Sequence, residues 1–232
     1  MNSSKKRCFI IALFISVVNL GIWAQAPTDR QAVKQAIANW GTCRNVAITR
    51  TLGDVAIANR NDYIANYVPD LMLAKLKSLN QDGKYIDDIT LTENGLWLIL
   101  YDTNGVAWSA GIPESLKNAI IEFHRKDYYV RSVSVNDKGQ WAIVAKEDVK
   151  TSSQELTDWL KSNCERHGEL WTVTVGEEGI FAVYANGSSK RGDFPEGLVD
   201  ALSNTQLDYY RVKFAGTSWF FATEDGEFEY NM

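Results

Sequence analysis

Histidine is almost missing from this chain: 232 residues hold two, His124 and His167. A Ser-His-Asp constellation or a histidine metal centre has little to draw on, and no elbow-like motif precedes a helix. Cysteine is scarce, with Cys8, Cys43 and Cys164. Proline is rarer than usual, and three of the four, Pro69, Pro113 and Pro195, open helix-like stretches. No loop carries the dense, regularly spaced acidic ligands of a calcium site. Asp102, Asp148 and Asp225 recur at one kind of hairpin turn, where local backbone hydrogen bonding accounts for aspartate. Asn186-Gly187-Ser188 fits a glycosylation sequon and reads better as a turn. The expectation is no catalytic set, no metal and no cofactor.

Past the N-terminus no segment is long and apolar enough to span a membrane. Residues 1–26 read as a secretory signal instead: Lys5, Lys6 and Arg7, a nearly unbroken apolar run from Phe9 to Trp23, then Ala24-Gln25-Ala26. The cut falls after Ala24 or Ala26, so the expected location is periplasmic or extracellular. Cleavage leaves 21 basic against 29 acidic residues, a net charge of −8. That balance argues against nucleic acid or an anionic membrane surface as a partner. About 206 residues, 45% hydrophobic overall, suffice for one domain with a full core. Cys43 and Cys164 follow helix-like stretches in units that are not neighbours, and are expected to stay unpaired.

What the chain has in plenty is repetition. A glycine turn followed by a bulky apolar residue recurs at Gly53/Val55, Gly95/Trp97, Gly139/Trp141, Gly179/Phe181 and Gly216/Trp219. Residues 86–128 give the clearest copy. Ile89-Thr90-Leu91-Thr92 alternates like a half-buried strand, Asn94-Gly95 makes a tight turn, and Trp97 to Tyr101 reads as a strand covered on both faces. Asp102-Thr103-Asn104-Gly105 turns again before a third strand, and Pro113 opens a helix with Leu116, Ile120 and Phe123 on one face. Units fall at about 41–84, 85–128, 129–168, 169–208 and 209–232. In the third, charged residues from Glu147 to Thr151 replace the second turn and weaken the third strand, while Ser153 caps the helix. The fifth unit lacks a helix. Residues 27–40 supply one at the other end of the chain, with Val33, Ile37 and Trp40 on one face. The pattern predicts a mainly β fold with short helices, a five-fold propeller-like ring of β-β-β-α units closed by the N-terminal helix.

The pieces Gly95-Leu96-Trp97, Asn104-Gly105 and Pro113-Glu114-Ser115-Leu116 resemble the repeats of small five-bladed β-propellers. A helix in place of the usual fourth strand leaves the pentein-type α/β propeller open as the other five-fold ring. That likeness implies a cysteine nucleophile with histidine and acidic partners, and Cys164 and His167, three apart on one helix, are the only candidates.

Trp97, Trp141 and Trp219 share a column with Phe181 and Val55, so they read as packing between units. Trp108 and Trp171 fall outside it and are surface candidates for ligand contact. The first strand of each unit is expected to line a central, wet channel with two polar layers. One is Asn45, Asp88, Ser132, Thr172 and Arg211; the other is Ala47, Thr90, Ser134, Thr174 and Lys213. Arg211 and Lys213 put two positive charges near the axis, with Asp88 as partner, where a small anion or acidic side chain binds or a structural ion pair forms. The expected function is a non-catalytic interaction module recognising a protein or glycan through one rim. The rivals are an enzyme with a site in the channel or near Cys164/His167, and a structural subunit of an envelope assembly.

Overall fold

The computed structural model describes residues 30–51 and 53–232. The expected signal over residues 1–26, and residues 27–29 of the expected first helix, lie outside the described residues. The chain starts with α1 (Gln31–Trp40) and then repeats three strands and a helix. The first set is β1 (Asn45–Ile48), β2 (Asp54–Ala58), β3 (Asp62–Asn66) and α2 (Asp70–Gln81). Next come β4 (Ile86–Leu91), β5 (Trp97–Tyr101), β6 (Gly105–Trp108) and α3 (Glu114–Arg125). The third set is β7 (Val130–Val135), β8 (Trp141–Ala145), β9 (Val149–Thr151) and α4 (Gln154–His167). The fourth is β10 (Leu170–Val175), β11 (Gly179–Tyr184), β12 (Gly187–Gly192) and α5 (Leu198–Asn204), and β13 (Arg211–Ala215), β14 (Ser218–Ala222) and β15 (Phe228–Asn231) end the chain. Each strand triplet is a separate antiparallel sheet in chain order, so the molecule is mainly β, with five three-stranded sheets and five helices among the described residues.

Turn chemistry sets the strand lengths. Asp102 and Asn104 take left-handed φ of 50° and 65° between β5 and β6, a conformation these two residue types tolerate better than most. β9, behind the charged turn, is three residues long, the shortest strand described. Pro69 and Pro113 sit directly before α2 and α3 in extended backbone, so neither helix loses a hydrogen bond to them. Pro195 does not do the same. A turn intervenes, Gly197 at φ 79° precedes α5, and that helix is seven residues long. The Ser153 side chain accepts from the backbone N–H of Leu156 at 3.2 Å and caps α4.

Every helix fills the wedge between two sheets. α2 sets Met72, Leu76 and Leu79 against Val55 and Ile57 of the first sheet and Ile89, Trp97 and Ile99 of the second. α3 joins the second sheet to the third through Leu116, Ile120 and Phe123, and α4 joins the third to the fourth through Leu156 and Leu160. The short α5 offers Leu198, and aromatic residues make up the volume: Phe194 stands edge-on to both Phe181 and Phe214. α1 sets Val33 and Ile37 among Val46, Ile48 and Ala56 of the first sheet and Phe220 and Ala222 of the last. Each fully buried Ile or Leu contributes about 1.5–3 kcal/mol of transfer free energy. At the start of α1, Arg30 is buried and its guanidinium meets Asp54 at 3.4 Å and the carbonyl of Thr49.

The first strands of the sheets stand side by side: β1 lies against both β4 and β13, and β7 and β10 stand between those two. At their far ends, carboxylates tie neighbouring hairpins together. Glu93 accepts from the backbone N–H of Arg50 (2.5 Å) and Thr51 (3.3 Å), Asp137 from Asn94 (3.0 Å), and Glu177 from Asp137 (2.8 Å).

Candidate binding site at the bulged ends of the first strands

The two polar layers are nearly buried, the second bordering a small concavity at the far ends of the strands. Asn45, Asp88, Ser132, Thr172 and Arg211 are between 0% and 4% exposed, and Thr90, Ser134, Thr174 and Lys213 are nearly as buried. Several of their polar atoms bond the next sheet. Thr90 Oγ1 donates to the carbonyl of Val133 at 2.9 Å, Thr172 Oγ1 to that of Tyr210 at 2.7 Å, and Ser134 Oγ accepts from the backbone N–H of Val175 at 2.9 Å. Small polar side chains serve here because strand axes packed this closely leave room for one hydroxyl, and burial obliges it to find a partner.

Asp88 is the hub. It accepts from Asn45 Nδ2 (2.9 Å), Lys213 Nζ (2.9 Å) and the backbone N–H of Val133 (3.0 Å), with Arg211 Nη1 at 3.8 Å. Burial alone would raise its carboxyl. Lys213, then Arg211 and Asn45, reverse that and hold it well below the usual carboxylate range. Burial pulls the Lys213 ammonium down, with Asp88 opposing. The expected ion pair is therefore formed, and Lys213 is committed to it.

One residue further toward the strand starts, the pattern changes. In β4, β7 and β10 the pairing register skips one residue: Asp87, Arg131 and Trp171. Arg44 and Tyr210 lie at the same place before β1 and β13. Arg44 bonds the carbonyl of Ile57, which also opposes Asn45; Tyr210 bonds that of Ala222, which also opposes Arg211. Two residues facing one is the bulge geometry, and bulges re-aim side chains. These five side chains meet in a cavity of about 370 Å³, whose wall Tyr85 and Tyr129 complete and whose rim holds the exposed Asp208 and Glu224. A concavity at the opposite end of the same strands, by Glu93 and Glu177, measures about 70 Å³.

The cavity is aromatic and strongly charged. Trp171 and Tyr210 have ring centroids 5.6 Å apart, and the Arg211 guanidinium carbon is 5.4 Å from the Tyr210 ring. Arg44 donates to Tyr85 Oη (2.7 Å) and to the carbonyls of Asn59 (2.5 Å), Ile86 (3.0 Å) and Arg60 (3.2 Å). Among the described residues no carboxylate pairs with it. Arg131 meets Glu169 at 2.7 Å. Arg211 donates to the carbonyl of Asp87 at 2.7 Å, while its Nε is buried with no partner among the described residues. Burial pushes the Asp87 carboxyl up to about 6, against the pull of Tyr129 and Arg211. Burial and Asp87 together raise the Tyr129 phenol.

Of the residues singled out from sequence, Arg211 and Trp171 line this cavity. Asn45, Asp88 and Lys213 lie in the buried network beneath it, and Trp108, half-buried on β6, leans on the α3 cluster instead. Arg44, Asp87, Arg131, Tyr85, Tyr129 and Tyr210 escaped the sequence reading. A two-residue alternation has no place for a skipped residue, so it names the two polar layers and stops short of these positions. Cys164 and His167 belong to another region. Both are half-buried, the Cys164 thiol donates to the carbonyl of Leu160 at 3.5 Å, and the His167 ring rests 5.6 Å from Tyr184. Burial raises the Cys164 thiol, the wrong direction for a nucleophile. His124 is half-buried. Both described cysteines are free.

No family model matches the chain, and neither does any curated protein. Among solved structures, a selenomethionine-substituted virginiamycin B lyase from Staphylococcus aureus is similar, at 8% identity and a TM-score of 0.29. The match covers 80% of this chain and 64% of that one, so it spans less than two thirds of that protein. No helix among the described residues is long and apolar enough to cross a membrane.

Proposed function

We propose that the five sheets form a closed, propeller-like ring completed by α1, and that the protein is an exported, non-catalytic module that binds a protein or glycan at one mouth of the ring. The observation that carries this reading is the shared bulge. Three of the five first strands skip a residue at one level, Arg44 and Tyr210 stand at the matching place before the other two, and Arg44, Asp87, Arg131, Trp171 and Tyr210 line a single cavity. A ligand entering this cavity gains stacking faces and hydrogen-bond forks.

The test uses protein beginning at residue 27 on a glycan array and against purified candidate proteins. Each captured ligand is then titrated against wild type, Trp171→Ala and Tyr210→Ala. Both variants are expected to weaken binding at least about tenfold, since each removes one stacking surface. A captured ligand indifferent to both substitutions would remove the mouth from consideration.

A further inference from the structure

Charge in the mouth is layered, and the layering distinguishes one ligand class. Arg211, nearly buried, and Arg44, half-buried, line the cavity, and Lys213 lies in the buried layer beside Asp88. Beneath these cations one carboxylate is firmly ionised, Asp88, which Lys213 approaches to 2.9 Å and Arg211 only to 3.8 Å. Arg44 is satisfied by carbonyls and a phenol. Arg211 Nε, in a residue 4% exposed, has no partner among the described residues. The other charges of the lining differ: Asp208 and Glu224 are exposed at the rim, and Arg131 is already matched by Glu169. A polyanion would meet rim carboxylates on a chain whose overall balance is acidic. A single anionic group on an otherwise neutral ligand avoids them and reaches the guanidinium fork. The Trp171 and Tyr210 rings beside that fork suit the face of a sugar ring.

Resting on the reading of the mouth as the binding site, we infer that its ligand is a glycan bearing one carboxylate-bearing sugar, the carboxylate seated at Arg211 and the ring face on Trp171 and Tyr210. Asp87 modulates this. Its neighbours are Tyr129, Arg211, Asp88 and Arg44, with Tyr85 and Tyr210 in the same wall and Arg131, Asp208 and Glu224 further out. With its carboxyl pushed up to about 6, Asp87 is mostly charged at pH 7.5 and mostly neutral at pH 5. Acidification therefore removes a negative charge from beside the ligand's carboxylate. The ligand's own group, an ordinary carboxylic acid, stays largely ionised at pH 5.

The experiment is calorimetric titration of the protein from residue 27 with a glucuronic acid-terminated trisaccharide and with its carboxyl-reduced form, which keeps the ring and loses the charge. The acid is expected to bind at least about tenfold more tightly, one charge-assisted fork being worth about that ratio. Its affinity should rise several-fold from pH 7.5 to pH 5, with no such rise in Asp87→Asn. Arg211→Lys, its folding checked by melting, should lose most of the preference for the acid, because an ammonium cannot replace the fork. Trp171→Ala should weaken both sugars.

Equal binding of acid and reduced forms, both weakened by Trp171→Ala, would overturn the acidic ligand while leaving the mouth as a glycan site. Tighter binding of the acid that Trp171→Ala and Arg211→Lys leave untouched would overturn both the inference and the mouth. No binding of either sugar by folded wild type would overturn the glycan inference, leaving the mouth to be judged by the array ligands and the Trp171→Ala titration.

Discussion

Asp87 and Asp88 are adjacent in the chain and opposite in their electrostatics. Asp88 is held below the usual range by Lys213 and Arg211, so the folded state favours its charged form. Its contribution to stability is present above the unfolded carboxyl's pKa and is lost as pH falls through the lower folded value. Asp87 is raised by burial to about 6, so the folded state binds its proton more tightly than the unfolded chain does. Its contribution therefore declines as pH rises from about 4 to about 6. Asp87→Asn is accordingly expected to stabilise the protein at pH 7.5 and to be nearly neutral at pH 4, read from urea midpoints at both pH values. Asp88→Ala should cost about 3–5 kcal/mol at pH 7 in the same measurement, since it strands Lys213 without its counter-charge. A cost under about 1 kcal/mol would show that the network does not hold the strands together. The Cys43 thiol is pushed up to about 12 by burial, and Cys164 is raised less strongly. Protein starting at residue 27, unfolded without reductant, should titrate two thiols; in the native state Cys164 should react first and Cys43 only on unfolding.

Among the elements, α1 is the one whose partners lie furthest apart in the chain. Val33 and Ile37 touch side chains of both the first and the last sheet. Ile37→Ala should cost about 2–4 kcal/mol in denaturant unfolding, as for other truncations of a fully buried isoleucine. Deleting residues 27–40 should lower the melting temperature of the entire domain as one transition; an unchanged melting curve would refute the closing role of α1. The helices and strands were readable because their apolar spacing and turn residues act locally: Asn94-Gly95, Pro113 and Ser153 each specify a backbone state by themselves. α5 was misjudged at Pro195 because proline permits a helix start without requiring one, and here Gly197 and the aromatic wedge of Phe194 set it later. The bulges were invisible for a related reason. An extra residue leaves the composition of a strand unchanged, and only the partner strand reveals that Ile57 faces two residues. The column Arg44, Asp87, Arg131, Trp171 and Tyr210, placed directly before a buried polar layer in every unit, was the available signal. The prevailing assumption of unbroken alternation concealed it.

At the scale of the molecule, each wedge holds one helix, and the proposed closed ring makes a clear demand on connectivity. If α1 completes the fifth unit, its place in the chain order is incidental. A permuted protein running from residue 41 to 232, then a flexible linker, then residues 27–40, should fold with a melting temperature within a few degrees of the original and bind the same ligands. Failure of that chain to fold, with the linker long enough, would contradict the closed ring.

The cluster joining Val33 and Ile37 to Phe220 and Ala222 also sets a schedule. The helix made first must wait for nearly the whole chain before its partners exist, and contacts between such distant residues form late and slowly. The four wedges built from neighbouring units can assemble as their segments emerge, while this one cannot. A chain still being synthesised thus keeps an unsatisfied apolar face at its leading end, with the native state out of reach until its last strands arrive. The last wedge to close is therefore the one that fixes when the whole domain can become native.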